Sequence, residues 1–439
     1  MSQALLTDLY ELTMMAGYHA EGRSDEQATF DLYFRRPPAG VDLVVAAGLD
    51  LALDYLERLR FSSEDLDYLA SLALFDDEFL AYLSQLRFRG DVWAIREGTP
   101  VFPDEPLLRV TAPLGQAQLV ETALLNLVCY SCVVASNAAQ IVAAAGGKRV
   151  IEFGARRAQG PDGAVTGARA AVIGGCAATS NVEAGRRFGA EVSGTQAHSW
   201  VMAFDSELEA FRAYARAFPD RCILLVDTYD TLGIGVPNAI TVAGELRDRG
   251  HELDGIRLDS GDLGDLAVHS RRRLDDAGFP HVRIVASGDL DAERVAALEA
   301  AGAPIDAYGV GTALITAKQD PALSGVYKMV EINGQPAVKL SGTPGKGTTP
   351  GRKQVWRTDE ADTIGLADES LDGEPLLVEV MRSGERRAEP SSLAELRERC
   401  GELSGQMRPK ALAGWPVRRS QRLEDLRATV SRHLRDGIR

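Results

Sequence analysis

From Arg149 to about Leu340 the chain repeats one pattern: a short apolar run, a turn rich in Gly, Ser, Thr or Asp, then an amphipathic helix. Strand-like runs at 149–153, 191–193, 222–226, 254–258, 282–286 and 305–308 alternate with helical segments near 166–188, 206–217, 238–249, 263–277 and 291–301. Helices between successive strands are the crossovers that parallel pairing requires. Six or seven such units predict an irregular or incomplete β/α barrel, with an open doubly wound sheet as the structural alternative. Neither a G-x-G-x-x-G turn nor a P-loop lysine occurs in the needed strand-turn-helix setting, which argues against a dinucleotide enzyme or a P-loop NTPase.

The 439 residues exceed one ordinary core, so two or three domains are expected. We draw them as an N-terminal α+β domain at 1–125, a barrel-like catalytic domain at 126–340, and a 341–439 segment that completes the first domain and adds a small cap. Leu5, Leu9, Leu12, Met15 and Ala16 mark a first helix with Tyr10 off its apolar stripe. Ala28–Phe34, 90–96 and 106–111 read as strands, with Arg35 and Arg36 at a Pro37-Pro38 reversal that suits an anion or a solvated loop. A long helix from Leu114 to about Gly146 carries small residues, Ala135, Ser136, Ala138 and Ala139, for close packing. Asn333-Gly334 between alternating runs predicts a hairpin. The 341–353 stretch is a surface loop or a lid whose Lys346, Arg352 and Lys353 meet phosphate.

Acidic residues outnumber basic ones 63 to 48, a net charge of -15, which opposes nonspecific attraction to nucleic acid or anionic membranes. The first residues lack a basic segment followed by an apolar core, and no apolar run reaches the roughly 20 residues of a membrane span, so a cytoplasmic protein is expected. Five cysteines do not make a disulfide framework, and Cys129 and Cys132 have no second pair at zinc spacing.

The chemically loaded residues stand after the apolar runs. Asp227, Asp259, Asp262 and Asp289 sit beside Ser, Gly and Thr, oxygen ligands suited to Mg²⁺ or sugar hydroxyls. Gly309-Val-Gly-Thr312 offers backbone N–H groups of the kind that late barrel loops use for phosphate, so a phosphosugar substrate is expected. His198 lies between a Gly-Thr turn and a hydroxyl in Gly194-Thr-Gln-Ala-His-Ser199.

The segments Leu5–Met14, Glu152-Phe-Gly-Ala-Arg-Arg-Ala-Gln-Gly160, Gly194–Ser199, Arg257-Leu-Asp-Ser-Gly-Asp-Leu263 and Ser287-Gly-Asp-Leu-Asp291 closely resemble the nicotinate phosphoribosyltransferases, in order along nearly the whole chain. The resemblance implies the type II phosphoribosyltransferase fold, an irregular β/α barrel with an α+β domain built from both chain ends. It implies a homodimer with shared active sites, and transfer from 5-phosphoribosyl diphosphate to nicotinate with ATP hydrolysis and Mg²⁺, in NAD biosynthesis. His198 matches the family's phosphorylated histidine, and Asp259 and Asp289 its catalytic carboxylates. Asp227 and Asp259 would hold metal or ribose hydroxyls. Phe153 and the partner subunit's Tyr10 would sandwich the pyridine ring, with Arg257 on its carboxylate and Arg156 nearby. Ser180, Thr195, Ser199, Gly288, Gly309, Gly311 and Thr312 complete the implied substrate contacts.

Three rivals remain at this stage. A nicotinamide-using relative would carry an acid at 180 to accept the amide N–H, and Ser180 lacks that charge. A quinolinate-using relative is shorter and needs more cations. A catalytically silent homologue acting as a binding protein is opposed by intact His198, Asp259, Asp289 and Arg257.

Overall fold

The computed structural model describes residues 3–340, 347–387 and 389–437. The chain divides into two compact units, one of Met1–Val133, Asp320–Ser391 and Arg399–Arg439, the other of Val134–Gln319 with Ser392–Glu398. The chain therefore re-enters the first unit at Asp320, before the expected limit of 340. The cause is strand pairing: Gly325–Ile332 lies antiparallel against Gln27–Phe34 and so belongs to the terminal sheet.

In the first unit seven antiparallel strands run in the order 335–336, 325–332, 27–34, 108–113, 91–95, 377–382, 385–386, drawing on both chain ends as expected. The hairpin turns at Asn333 and Gly334, both at positive φ, as the Asn-Gly signal requires. A second sheet of four strands, 374–375, 353–357, 362–366 and 417–419, stands where sequence reading saw only a cap. The helix Glu121–Ala144 is long and apolar enough for a membrane span, contrary to the sequence estimate, but 56% of its apolar window is buried inside the protein. That burial is the mark of a core helix. Five cysteines are free, and burial pushes the Cys129 thiol up to about 12.

The second unit holds six parallel strands: β1 (Arg149–Glu152), β2 (Ala178–Thr179), β3 (Ile223–Leu225), β4 (Gly255–Leu258), β5 (Arg283–Ala286) and β6 (Ala307–Val310). Their order is β2-β1-β6-β5-β4-β3. Read as a ring, this is the sequence order itself, with β6 closing onto β1 and one opening between β2 and β3. A doubly wound sheet would reverse direction at a switch point, so the arrangement is an incomplete barrel.

Helices follow the strands: α1 (Gly160–Ile173), α2 (Val182–Phe188), α3 (His198–Met202), α4 (Glu207–Ala217), α5 (Val236–Arg247), α6 (Leu263–Asp276), α7 (Ala292–Ala300) and α8 (Thr312–Ile315). The helix expected over 166–188 is thus two helices with β2 between them. Gly174 caps the first, and a side chain there would meet Ala135 O at 2.2 Å. The small residues do admit close packing. The strand expected at 191–193 is a single bridge, Val192 to Thr179.

Candidate active site

In a parallel barrel the C-terminal strand ends and the loops after them carry the chemistry. Here Phe153 follows β1, Ser180 follows β2, Asp227 and Thr228 follow β3, Asp259 and Ser260 follow β4, Ser287 to Asp289 follow β5, and Gly311 and Thr312 follow β6. The residues just beyond these strands are largely acidic or hydroxyl-bearing, and those after β3, β4 and β5 touch one another.

Asp259 is the hub. Its Oδ1 accepts the Ser287 hydroxyl at 2.6 Å, and its Oδ2 stands 3.8 Å from His198 Nε2. The other imidazole nitrogen, Nδ1, is 3.1 Å from the Thr228 hydroxyl. Asp227 Oδ2 accepts the Asp259 amide at 3.0 Å and the Ser260 hydroxyl at 2.6 Å, while its buried Oδ1 has no hydrogen-bond partner among the described residues. The adjacent Asp259 and Ser260 after β4 thus offer an amide and a hydroxyl through which the Asp227 carboxylate braces the next loop.

Arg257 is the penultimate residue of β4, two before the hub, with 14% of its side chain exposed. Its Nη1 donates to Thr195 Oγ1 at 2.5 Å, its Nη2 is 3.8 Å from Asp259 Oδ1, and its buried Nε has no partner. Burial lowers its pKa, Asp259 and Asp227 oppose that, and the nearby Arg156 adds to it. Two cations close enough to repel, one with a spare donor, form a local anion site inside an acidic protein.

Glu152 and Thr179 stand in segments the sequence marks, but neither is given a role there. Glu152 is fully buried; its Oε1 accepts the Gly154 amide and its Oε2 the Thr179 hydroxyl at 2.6 Å. Burial raises the Glu152 pKa, against both hydrogen bonds. Thr228, Ser260 and Ser287 likewise receive no role from the sequence, although each is a hydroxyl one to three places beyond a strand. That position was the available signal.

Several expected residues do something else. Gly309 is a buried strand residue, and a side chain there would strike the Phe153 ring at 2.4 Å, so it makes room for that ring instead of presenting a loop N–H. Gly288, at φ 93°, lets the turn approach Asp259 O, which a side chain would meet at 1.9 Å. Asp262 caps α6 by accepting from Asp265 N at 3.1 Å. Asp289 stands at φ 47° with its carbonyl accepting from Arg294 at 2.8 Å. Arg156 and Ser199 are exposed, and Ser180 and Thr312 half-buried.

The first unit contributes different groups. Tyr10 is 46% exposed, in a row with exposed Leu6, Leu9 and Met14. Partial burial, then Glu121, Glu11 and Asp8, raise the phenol pKa. An open cavity of about 330 Å³ on this unit is lined by Met14, Tyr18, Gln118, Glu121, Lys328 and Lys339. Arg36 is tied to Asp320 at 2.8 Å. Of the three lid cations, Lys346 lies outside the described residues and Arg352 stands 3.3 Å from Glu331. Lys353 is buried against Asp31 at 2.7 Å, which rules it out as a lid cation.

A magnesium ion needs few protein ligands when phosphates supply the rest. Among the described residues no group of three His, Cys, Asp or Glu side chains is set to hold a metal. The partnerless Asp227 Oδ1 beside Asp259 fits an ion shared with a phosphate-bearing substrate.

Comparison with known proteins agrees with this geometry. The chain matches the family model of the nicotinate phosphoribosyltransferase N-terminal domain over residues 5–129 and that of the nicotinate phosphoribosyltransferase family over 148–369. It is 49% identical over 388 residues to nicotinate phosphoribosyltransferase pncB2 of Mycobacterium tuberculosis, covering 87% of this chain and 82% of that one. It is 47% identical over 387 residues to the nicotinate phosphoribosyltransferase of Bacillus subtilis, covering 86% and 79%. The crystal structure of human nicotinic acid phosphoribosyltransferase superposes with a TM-score of 0.87 at 33% identity, over 97% of this chain and 100% of that one. The nicotinate-nucleotide pyrophosphorylase of Pyrococcus furiosus gives 0.75 at 25% identity, over 91% and 94%.

Proposed function

This chain belongs to the nicotinate phosphoribosyltransferase family, and from that premise we propose that it forms nicotinate mononucleotide and diphosphate from nicotinate and 5-phosphoribosyl diphosphate, coupled to ATP hydrolysis through His198. The observation that carries the reading is the approach of His198, at the start of α3, to Asp259, Asp227 and Arg257 at the ends of β3 and β4.

The pyridine nitrogen attacks the anomeric carbon as the C–O bond to diphosphate breaks, so positive charge grows on the ribose and negative charge on the leaving group. No protein nucleophile is needed. Asp227 and Asp259 would hold Mg²⁺, which would supply charge neutralisation to the diphosphate. Arg257 turns its spare donor to the nicotinate carboxylate, a charge-assisted bond worth about 1.5–3 kcal/mol. Phe153 supplies one face of the ring slot, and Ser180 presents a neutral hydroxyl where a carboxylate would repel the acid. In the ATP-linked half-reaction a His198 ring nitrogen attacks the γ-phosphorus and ADP leaves; water later cleaves the N–P bond.

The exposed Leu6, Leu9, Tyr10 and Met14 support a homodimer in which Tyr10 reaches the partner's site. Free, largely buried thiols suit a reducing compartment, the cytoplasm.

The test supplies phosphoribosyl diphosphate and Mg²⁺ with nicotinate, nicotinamide or quinolinate, with and without ATP, and identifies the nucleotide. Nicotinate mononucleotide is expected, faster with ATP. Ser180→Asp should cut the nicotinate to nicotinamide ratio of kcat/KM by about 10-fold or more, the scale of one charge-assisted bond. Nicotinamide mononucleotide as the main wild-type product would refute the proposal.

A further inference from the structure

Glu152 is a carboxylate with no access to solvent, placed between the two strand ends that carry the base-binding residues. Burying such a group is costly unless its oxygens are hydrogen-bonded, and here each accepts one. Oε1 takes the Gly154 amide, one residue beyond Phe153. Oε2 takes the Thr179 hydroxyl at 2.6 Å, one residue before Ser180. Thr179 Oγ1 in turn accepts the Asn181 amide at 3.0 Å, and the Glu152 carbonyl accepts the Ser180 amide at 2.9 Å. Asn181 then caps α2 through Ala184 N at 3.1 Å and donates to Ala164 O of α1 at 3.1 Å.

Both donors aimed at the carboxylate are single-purpose. A backbone N–H cannot accept, and the Thr179 oxygen is already an acceptor for Asn181, which orients its proton toward Glu152. An ionised carboxylate satisfies both donors at once. Space is equally constrained: a side chain at Gly154 would meet Ile315 Cβ at 2.5 Å and Glu152 Oε1 at 2.8 Å. The Phe153 ring fills the gap left at Gly309, and its amide donates to Val310 O at 2.8 Å.

We infer that Glu152 is a positioning residue for base recognition: its carboxylate clamps the Phe153 turn to the Ser180 turn and so fixes the width and polarity of the pyridine slot. The inference rests on the base-binding roles proposed above for Phe153 and Ser180. A neutral apolar residue would fill the same volume without holding both turns, whereas the clamp couples a ring face and a substituent contact that come from different strands.

The experiment uses the full-length enzyme and four variants. Thr179→Val removes both the proton donated to Glu152 and the oxygen that accepts the Asn181 amide, at nearly constant volume; Thr179→Ser keeps both. Glu152→Gln replaces one acceptor oxygen by a donor, and Phe153→Leu tests the ring slot directly. We expect Thr179→Val and Glu152→Gln each to raise the KM for nicotinate at least tenfold and to narrow the nicotinate to nicotinamide preference. The KM for phosphoribosyl diphosphate should stay within twofold, and Thr179→Ser should restore wild-type behaviour. Glu152→Gln carries the test alone should Thr179→Val not fold. A folded Thr179→Val or Glu152→Gln with wild-type nicotinate KM, alongside a raised KM in Phe153→Leu, overturns the clamp and leaves the base site standing. Equal loss for both substrates makes Glu152 a purely structural group and also overturns it. An unchanged nicotinate KM in Phe153→Leu overturns the base-site reading and the clamp with it.

Discussion

Replacing Lys353 by methionine separates a scaffold role from a phosphate-binding one. The ammonium spends all three protons inside the first unit: on Asp31 at 2.7 Å, on Thr349 O at 2.7 Å and on Gly351 O at 2.9 Å. Its own carbonyl accepts from Arg109 at 2.7 Å. Asp31 is fully buried and finds no other hydrogen-bond donor among the described residues, so Lys353→Met strands a charge away from water. Removing one partner of such a pair costs about 3–5 kcal/mol. At about 2 °C per kcal/mol for a unit of this size, Tm should fall by roughly 6–10 °C. Adding Asp31→Asn should recover part of the loss, because the stranded charge is then gone.

The pH dependence has a definite sign. Burial lowers the Lys353 pKa despite Asp31, so between that lowered value and the ordinary lysine value the unfolded chain holds a proton the native chain gives up. Wild-type stability therefore gains from this group as pH rises through that window, and Lys353→Met lacks the gain. Thermal melts at several pH values and steady-state kinetics decide the matter. An unchanged Tm with a tenfold higher KM for phosphoribosyl diphosphate would refute the scaffold argument and return Lys353 to a lid.

Two further outcomes follow from the site. γ-Labelled ATP should transfer phosphate to His198 in an acid-labile form, and His198→Ala should lose the label while keeping slow ATP-independent transfer; undiminished labelling in the variant would contradict this. Mixing and reassociating Tyr10→Ala with Arg257→Ala should restore one site per heterodimer if Tyr10 serves the partner's site, and no recovery despite proven subunit exchange would count against sharing.

The barrel was legible because each strand-helix unit is local. Apolar runs at 222–226, 254–258 and 282–286 became β3, β4 and β5 with ends shifted by a residue, and the helices behind them followed their amphipathic spacing. What failed was short or distant. β2 is two residues long and sits inside an alanine-rich stretch, so no periodicity could reveal it; only Gly174-Gly175 marked the break. The four-stranded sheet at the C-terminal side depends on pairing such as Asp362 with Val417, across a long helix, and no local pattern encodes that partner.

The site divides along the same line. His198, Asp227, Asp259 and Arg257 were found because each follows or ends an apolar run and carries charge or a ring nitrogen that a buried scaffold has little use for. Glu152 and Lys353 were misjudged for the opposite reason. One lies at the last position of a strand and the other in a loop-like Gly and Lys segment, and in both the decisive fact is a partner far along the chain: Thr179 for Glu152, Asp31 for Lys353. Solvation decides what a charge is for. A lysine that keeps three buried acceptors cannot also swing to a substrate without forfeiting them, and a buried carboxylate that accepts from two turns holds those turns by the same cost. Sequence supplies the charge, while the fold supplies the burial that turns one charge into a scaffold and leaves Arg257, with its Nε unpartnered, available to a ligand.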